Sequence, residues 1–428
     1  MEYKELLLGS FRAAVAAADP LEILPRHLPV PPAGRTVVVG AGKAAASMAL
    51  AVERHWPAAA PLDGLVITRY GHGLPTTRIR VVEAGHPVPD AAGETASREI
   101  LDIARGLAPV DLLLVLVSGG GSALLSLPAD GIGMDALRAT TSELLRSGAP
   151  IQEMNTVRKH LSAIQGGRLA AASRAKVVAL IVSDVTGDDP THVASGPCAP
   201  DLTTFGDALD VLERYRITAP KMVREHLERG ARGEIPDTPK PDDKVFARVE
   251  NRVIATARHA LRAASEFFLQ RGIHGVILGE SVTGEAAEVA KVFGAVTRQV
   301  VRYGEPYRPP VALISGGECT VTVRGSGRGG RCGEFLLSLG IDVDGAANVH
   351  AIAGDTDGID GSEDNAGALL APDSLARAAR LGLDAKKLLA DNDSYGFFSP
   401  LGDLVVTGPT RTNVNDYRAI LIAPPDRP

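Results

Sequence analysis

The sequence predicts an α/β protein of two lobes: an N-terminal doubly wound, Rossmann-like parallel sheet and a C-terminal α/β domain, with the active site expected in the cleft between them. Three observations carry this. Short runs rich in Val, Ile and Leu alternate with helix-like segments along nearly the whole chain. The runs are continuous rather than alternating, as strands buried on both faces of a parallel sheet require. The length, 428 residues, exceeds what one ordinary domain holds.

In order, "TVVVG" (36–40) reads as a strand leading into the Ala-rich helix "KAAASMALAVERH". "GLVIT" (64–68) and "IRVVEAG" (79–85) follow, then the helix-like "AAGETASREILDIARGL" and the strands "LLLVLVSGGG" (112–121) and "KVVALIVSDV" (176–185). A Pro-, Gly- and charge-rich stretch, "GARGEIPDTPKPDDK" (230–244), marks the expected boundary between domains 1–240 and 241–428. Beyond it, helices at 256–272 and 285–302 precede the strands "VILG" (276–279) and "PVALISGGE" (310–318), and "NVHAIAG" (348–354) and "RAILIA" (418–423) complete the second lobe.

A formal charge of −6 argues against a general nucleic-acid or membrane-surface binder. The first twenty residues read as an amphipathic helix stopped by Pro20, not a signal peptide. No apolar run approaches the ~20 residues of a membrane span. Cys198, Cys319 and Cys332 form no C-x-x-C pair, which points to free thiols in the reducing cytoplasm. Monomer and homodimer stay open.

Chemistry-bearing motifs fall where strands end, the edge at which open α/β sheets bind ligands. "VVVGAGKAAASMA" (37–49) has a G-x-G turn containing Gly42, but the next strand ends in Arg69, not in the acid that holds a ribose. Lys43 opens the following helix, where the dipole opposes a cation; it suits an anionic ligand, or is a surface lysine beside a packing turn. In "SGGGSALLSLP" (118–128), Gly119, Gly120 and Gly121 allow backbone amides to converge on an anion, with Ser118 and Ser122 adding hydroxyls. Asn155 and Arg158 share helical spacing in "MNTVRKHLSAIQGGRLA" (154–170), as a cleft stripe or a solvated face.

Asp184, Asp188 and Asp189 in "VSDVTGDDPTHVASGP" (182–197) fit either Mg²⁺ ligands or turn-capping groups. "AGDTDGIDGSEDNAGA" (353–368) is not an EF-hand; its Asp355 and Asp357 are candidates for a metal or a substrate hydroxyl. Thr410 and Asn413 in "TGPTRTNVND" (407–416) are candidates for phosphate or polyol hydroxyls. Together these motifs point to phosphoryl transfer, or phosphate-ester binding, with a small polyol or acid.

The ordered set "GAGKAAASMA", "HPVPD" (86–90), "VSGGGSALLSLP", "MNTVRKHLSAIQGGRLA", "SDVTGDDPTHVASGP", "SGGECTVTVRGSGRGGR", "DTDGIDG" and "TGPTRTNVND" resembles the glycerate kinases of the type-2 class, whose C-terminal part is the MOFRL domain. The resemblance implies a two-domain α/β enzyme that moves the γ-phosphoryl of ATP, with Mg²⁺, to the 2-hydroxyl of D-glycerate or a related hydroxy acid. Lys43 looks like the family's essential lysine, and the catalytic arginine of its "GRGGR" stretch maps to Arg331 or to Arg328. Such cations suit a loose phosphoryl-transfer transition state.

Asp184 and Asp189 are candidates for the metal or for orienting the acceptor hydroxyl. An NAD(P)H-dependent hydroxypyruvate reductase, a name members of this family have carried, and a non-catalytic sugar-phosphate-binding protein are the alternatives. Three departures stand out: Cys332-Gly333-Glu334 where Asn-Gln-Glu is usual, Arg411 where glycine is usual, and Gln165 where lysine is common. An acceptor other than glycerate is therefore expected to be open.

Overall fold

The computed structural model describes residues 2–344 and 346–424. The chain divides into two compact units, one of Pro20–Ile254 and one that joins Met1–Asp19 to Ala255–Pro428.

In the first unit, β1 (Thr36–Ala41), β2 (Leu62–Arg69), β3 (Ile79–Ala84), β4 (Leu112–Ser118), β5 (Lys176–Val182) and β6 (Val249–Ala255) form one sheet in the order β3-β2-β1-β4-β5-β6. Strands β1 to β5 pair in parallel, so each must be joined to the next by a crossover. β1 and β4 are buried along their whole length, as their unbroken apolar runs demand. Helix Ala91–Arg105 covers one face through Ala96, Ile100 and Ala104 and is capped by Asp90, which accepts from the Gly93 amide. Helices 134–146, 151–160, 205–214 and 221–231 gather around Phe205, Leu212 and Leu227 in a separate apolar cluster.

The stretch 230–244 falls inside this unit rather than between units. β6 lies beyond it and returns the chain to the edge of the first sheet.

The second unit contains β7 (His274–Gly279), β8 (Val311–Ser315), β9 (Val349–Asp355), β10 (Gly367–Leu370), β11 (Leu404–Val405) and β12 (Asp416–Ile422), ordered β11-β10-β9-β12-β8-β7. It does not repeat the parallel pattern. β7 and β8 are parallel, but β12 runs antiparallel between β8 and β9, and β10 and β11 add further antiparallel pairs. The N-terminal helix Glu2–Ala16 belongs to this unit: Phe11 packs on Tyr417 with ring centroids 5.9 Å apart, and Tyr417 donates to Ser10 Oγ at 2.8 Å. A helix so placed is folded by its docking, because 15 residues alone are marginal in water.

Among the described residues no helix is long and apolar enough to cross a membrane. All three cysteines are buried free thiols.

Candidate active site

In the first unit, the ends of β1 and β4 are stitched together. Lys43 donates its amide to Gly119 O at 2.8 Å, Ala44 donates to Ser118 Oγ at 3.0 Å, and Ala45 donates to Gly42 O at 3.1 Å. Gly42 is required by this approach: at φ +143° any Cβ there would lie 2.0 Å from Ser118 Oγ. Ser118 and Gly42, expected to touch a ligand, thus brace two turns against each other. The amides that a dinucleotide pyrophosphate would need at a G-x-G turn are already used.

Lys43 itself passes the next glycine. A Cβ on Gly120 would lie 3.3 Å from Lys43 Cγ and 3.0 Å from His86 Nε2. His86 was not singled out from the sequence, although the "HPVPD" stretch contains it. Burial, with Lys43, Arg69 and His72 all nearby, pushes its pKa down to about 3, so the imidazole stays neutral. Lys43 and His86 thus meet over Gly120, and Arg69 and His72 act on the same imidazole, a setting that favours an incoming anion.

The carbonyls of Gly119, Gly120 and Gly121 all accept bonds from within the protein, from Lys43, from Ala123 and from Leu125. Ser122 shares a hydrogen bond with Ser195 (2.9 Å), and Ser195 donates to Asn155 Oδ1 (3.2 Å), to which Arg158 also donates (3.4 Å). Gln165 binds the carbonyls of Ser122 and Leu125 at 2.9 Å each, so this departure is a brace beneath the turn. The basic run divides: Lys159 is buried against Asp201 and His160 against Asp237, while Arg158 alone joins the serine cluster.

Asp184 follows β5 and is half-buried. Asp189 is exposed and caps its own turn by accepting from Thr191 N at 2.8 Å; against burial, which raises it, the bonds from Thr191 with His192 and Lys159 nearby together hold its carboxyl below the usual range.

In the second unit, Arg331 follows the glycine-rich stretch 325–330. It opens the helix Arg331–Asp342, and its guanidinium is bound by Asp355 (2.7 Å), Asp416 (2.9 Å) and Glu318 (3.4 Å). These carboxylates overcome the effect of burial and raise its pKa well above the ordinary value. Arg328 is exposed, pairs with Glu363 at 3.5 Å and stacks over the Tyr395 ring at 4.7 Å.

Asp355 also accepts from the Asp357 amide, and Asp357 accepts from Ile359 N. Thr410 gives its hydroxyl proton to Thr356 O, and Asn413 Oδ1 accepts from Asn415 N at 3.3 Å, which folds the 407–416 loop onto the 355–360 turn. Among the described residues no three His, Cys, Asp or Glu side chains cluster as a metal site.

Cys332 lies in the apolar core with Phe335 and Leu336, and a Cβ on Gly333 would meet Ser394 Oγ at 2.5 Å. The Cys-Gly pair therefore lies in the packed start of the helix Arg331–Asp342. Arg411 holds φ +60°, a conformation natural to the glycine usual at that position.

A model described as "Domain of unknown function (DUF4147)" matches residues 6–228, and the MOFRL family model matches residues 311–416. A protein of Agrobacterium vitis named "Putative hydroxypyruvate reductase" is 49% identical, over 98% of this chain and 94% of its own. The "Glycerate 2-kinase" of Pyrococcus horikoshii is 38% identical, over 97% of this chain and 96% of its own. The crystal structure of glycerate kinase from Thermotoga maritima superimposes with a TM-score of 0.87 at 37% identity, covering 99% of this chain and 100% of that one. With both domains matched and the whole length covered, the chain belongs to the glycerate kinase family built from a DUF4147 and a MOFRL domain.

Proposed function

We propose that the protein is an ATP-dependent kinase that phosphorylates the 2-hydroxyl of D-glycerate or of a closely related hydroxy acid, in the cytoplasm. The observation that carries this is the meeting of Lys43 and neutral His86 over Gly120, with Arg69 and His72 acting on the same imidazole. Bound ATP supplies the phosphoryl group. Lys43 neutralises charge on the transferring group, and the Gly119–Ser122 turn orients it through its amides. Arg331, fixed by its carboxylates, is the second catalytic cation, ahead of Arg328.

Mg²⁺ held by nucleotide phosphates needs only one or two protein carboxylates. Asp184 fits that role best by its place at a strand end. Asp355 and Asp357 are engaged with Arg331 and with backbone amides, and Asp189 caps its turn, so their part as ligands would require those bonds to open.

A reductase reading is favoured by the name of the Agrobacterium vitis relative. Against it, the β1 turn uses its own amides, and Arg69 rather than an acid ends β2. An arginine there suits a 2′-phosphate, so NADPH is the coenzyme to try. Incubation with Mg-ATP and D-glycerate should release ADP, with 2-phosphoglycerate identified by NMR. NADPH oxidation with hydroxypyruvate and no ADP would replace this reading by the reductase. Phosphate-ester binding without turnover would leave only a sensor.

A further inference from the structure

The Gly119–Ser122 turn has a second end. Gly120 lies beside Lys43 and His86, a Cβ on Gly121 would touch that of Ala194 at 2.5 Å, and Ser122 bonds Ser195. Ser195 is fully buried and stands in the left-handed region at φ +57°, between Ala194 at φ +51° and Gly196 at φ +59°. Two consecutive non-glycine residues in that region are strained. The strain is held by the bonds Gly166 N to Ser195 O (3.0 Å) and Gly167 N to Gly196 O (2.8 Å). Its effect is to set Ser195 Oγ between Ser122 and Asn155.

The direction of these bonds follows from donor counting. Asn155 gives its amide nitrogen to His192 O at 3.2 Å, so its oxygen faces Ser195 and Arg158. Ser195 has one hydroxyl proton and donates it to that oxygen; Ser122 must then donate to Ser195. Ser122 Oγ is left as an acceptor toward a ligand.

Arg158 is the other open group. Its hydrogen-bond partner is Asn155 Oδ1 at 3.4 Å, and among the described residues no carboxylate pairs with it. Burial pushes its pKa down with no counter-charge opposing the shift. Its neighbours in sequence, Lys159 and His160, both have carboxylate partners. A half-buried guanidinium kept without an anion is expensive unless a ligand provides one.

We propose that Arg158 receives the carboxylate of the acid substrate while Ser122 Oγ accepts from a hydroxyl of the same molecule, with Ser195 and Asn155 as positioning residues. The proposal deepens the kinase reading and rests on it for the identity of the acid. The planar guanidinium matches a carboxylate in two parallel bonds. A phosphate dianion fits less well, since it has no proton to give to Ser122 and would meet a single cation. The order along the turn, Lys43 at Gly120 and the acid subsite at Ser122, places phosphoryl group and acceptor within three residues of each other.

The test is calorimetric titration of the full-length protein with D-glycerate, its neutral amide D-glyceramide, and MgATP. Wild type should prefer D-glycerate over the amide by about 30-fold or more, and Arg158→Gln should erase the preference with MgATP affinity unchanged. Arg158→Lys, which keeps charge and stem, should weaken D-glycerate by about 10-fold and covers the case in which the glutamine variant does not fold. Ser195→Ala should raise KM for the acid by about 5- to 20-fold with kcat nearly intact, a split that general destabilisation would not produce.

Equal binding of acid and amide by wild type, no binding of either, or loss of MgATP instead of D-glycerate in Arg158→Gln would each overturn the assignment. Arg158-dependent binding of D-glycerate without ADP formation would sink the kinase reading and leave the subsite standing.

Discussion

Arg331 is clamped by Asp416, whose two carboxylate oxygens accept from Nε at 2.9 and 3.1 Å. Asp416 begins β12 opposite Asp355, the last residue of β9, so two antiparallel strands present both acids to one guanidinium. Arg418 closes the network by donating to Asp416 Oδ2 at 2.6 Å. A fork this well held is orienting one of its faces, and lysine cannot reproduce it. Arg331→Lys should lower kcat for D-glycerate phosphorylation by roughly 100-fold with a small change in unfolding temperature. Parallel loss of stability and rate would mean that Arg331 serves only to neutralise the two aspartates.

Lys43→Met keeps an apolar stem against Gly120 and removes the charge. Phosphoryl transfer should fall by about three orders of magnitude or more, with the fold retained. The same variant has a readout independent of turnover. His86 is held at about 3 by burial and by neighbouring cations, Lys43 first among them; without Lys43 its pKa should rise toward the ordinary histidine value. Imidazole titration by NMR measures this. An unchanged His86 would mean that Lys43 points away from the turn.

Much of the first unit was legible because β1, β4 and β5 carry near-unbroken apolar runs that end in turns containing glycine, a pattern with few competing interpretations. The antiparallel centre of the second unit was not. β12 has the same apolar run whichever way it points, and its direction is set by pairing with β8 and β9. In the site, Lys43, Ser122, Asn155 and Arg158 stood in glycine turns or at helical spacing and could be picked out. Ser195 and Asp416 could not: one owes its role to a left-handed backbone, the other to a cross-strand register, and neither leaves a mark in local sequence. The burial of Cys332 was also not legible, because a departure from a pattern does not say whether a residue faces ligand or core.

Gly121→Ala tests the seat of Ser195. The new methyl would lie 2.5 Å from Ala194 Cβ and 3.0 Å from Ala41 O, in a segment already strained. Overpacking of this kind costs about 1–3 kcal/mol, and here it should also raise KM for the acid. Gly71→Ala is the control, at φ +76° with nothing within 4 Å; its cost should be only the ~1–2 kcal/mol of a left-handed alanine, with KM unchanged. Denaturant melts and steady-state kinetics on both variants separate the two.

Cys332→Ala should cost about 1–2 kcal/mol for a small cavity beside Phe335 and leave the ranking of hydroxy-acid acceptors unchanged. A changed ranking would return Cys332 to the site.

Asp360 gives a pH dependence of stability whose sign can be worked out. It is fully buried and accepts from the amides of Cys332 (3.0 Å) and Gly333 (2.8 Å), at the start of the helix that carries Arg331. Burial, with Asp416 nearby, pushes its pKa up to about 7, against the two amides and Arg331. The folded state therefore keeps a proton that the unfolded chain releases near pH ~3.9. Stability from this group is full below the unfolded value and is lost as pH rises through about 7. Asp360→Asn removes the titration and keeps one acceptor for the amides. The stability of wild type relative to this variant should decline between pH 5 and 8 by on the order of a few kcal/mol, read from chemical denaturation at each pH. A flat difference would mean that Asp360 is ionised when folded, with the helix N-terminus and its two amides outweighing desolvation.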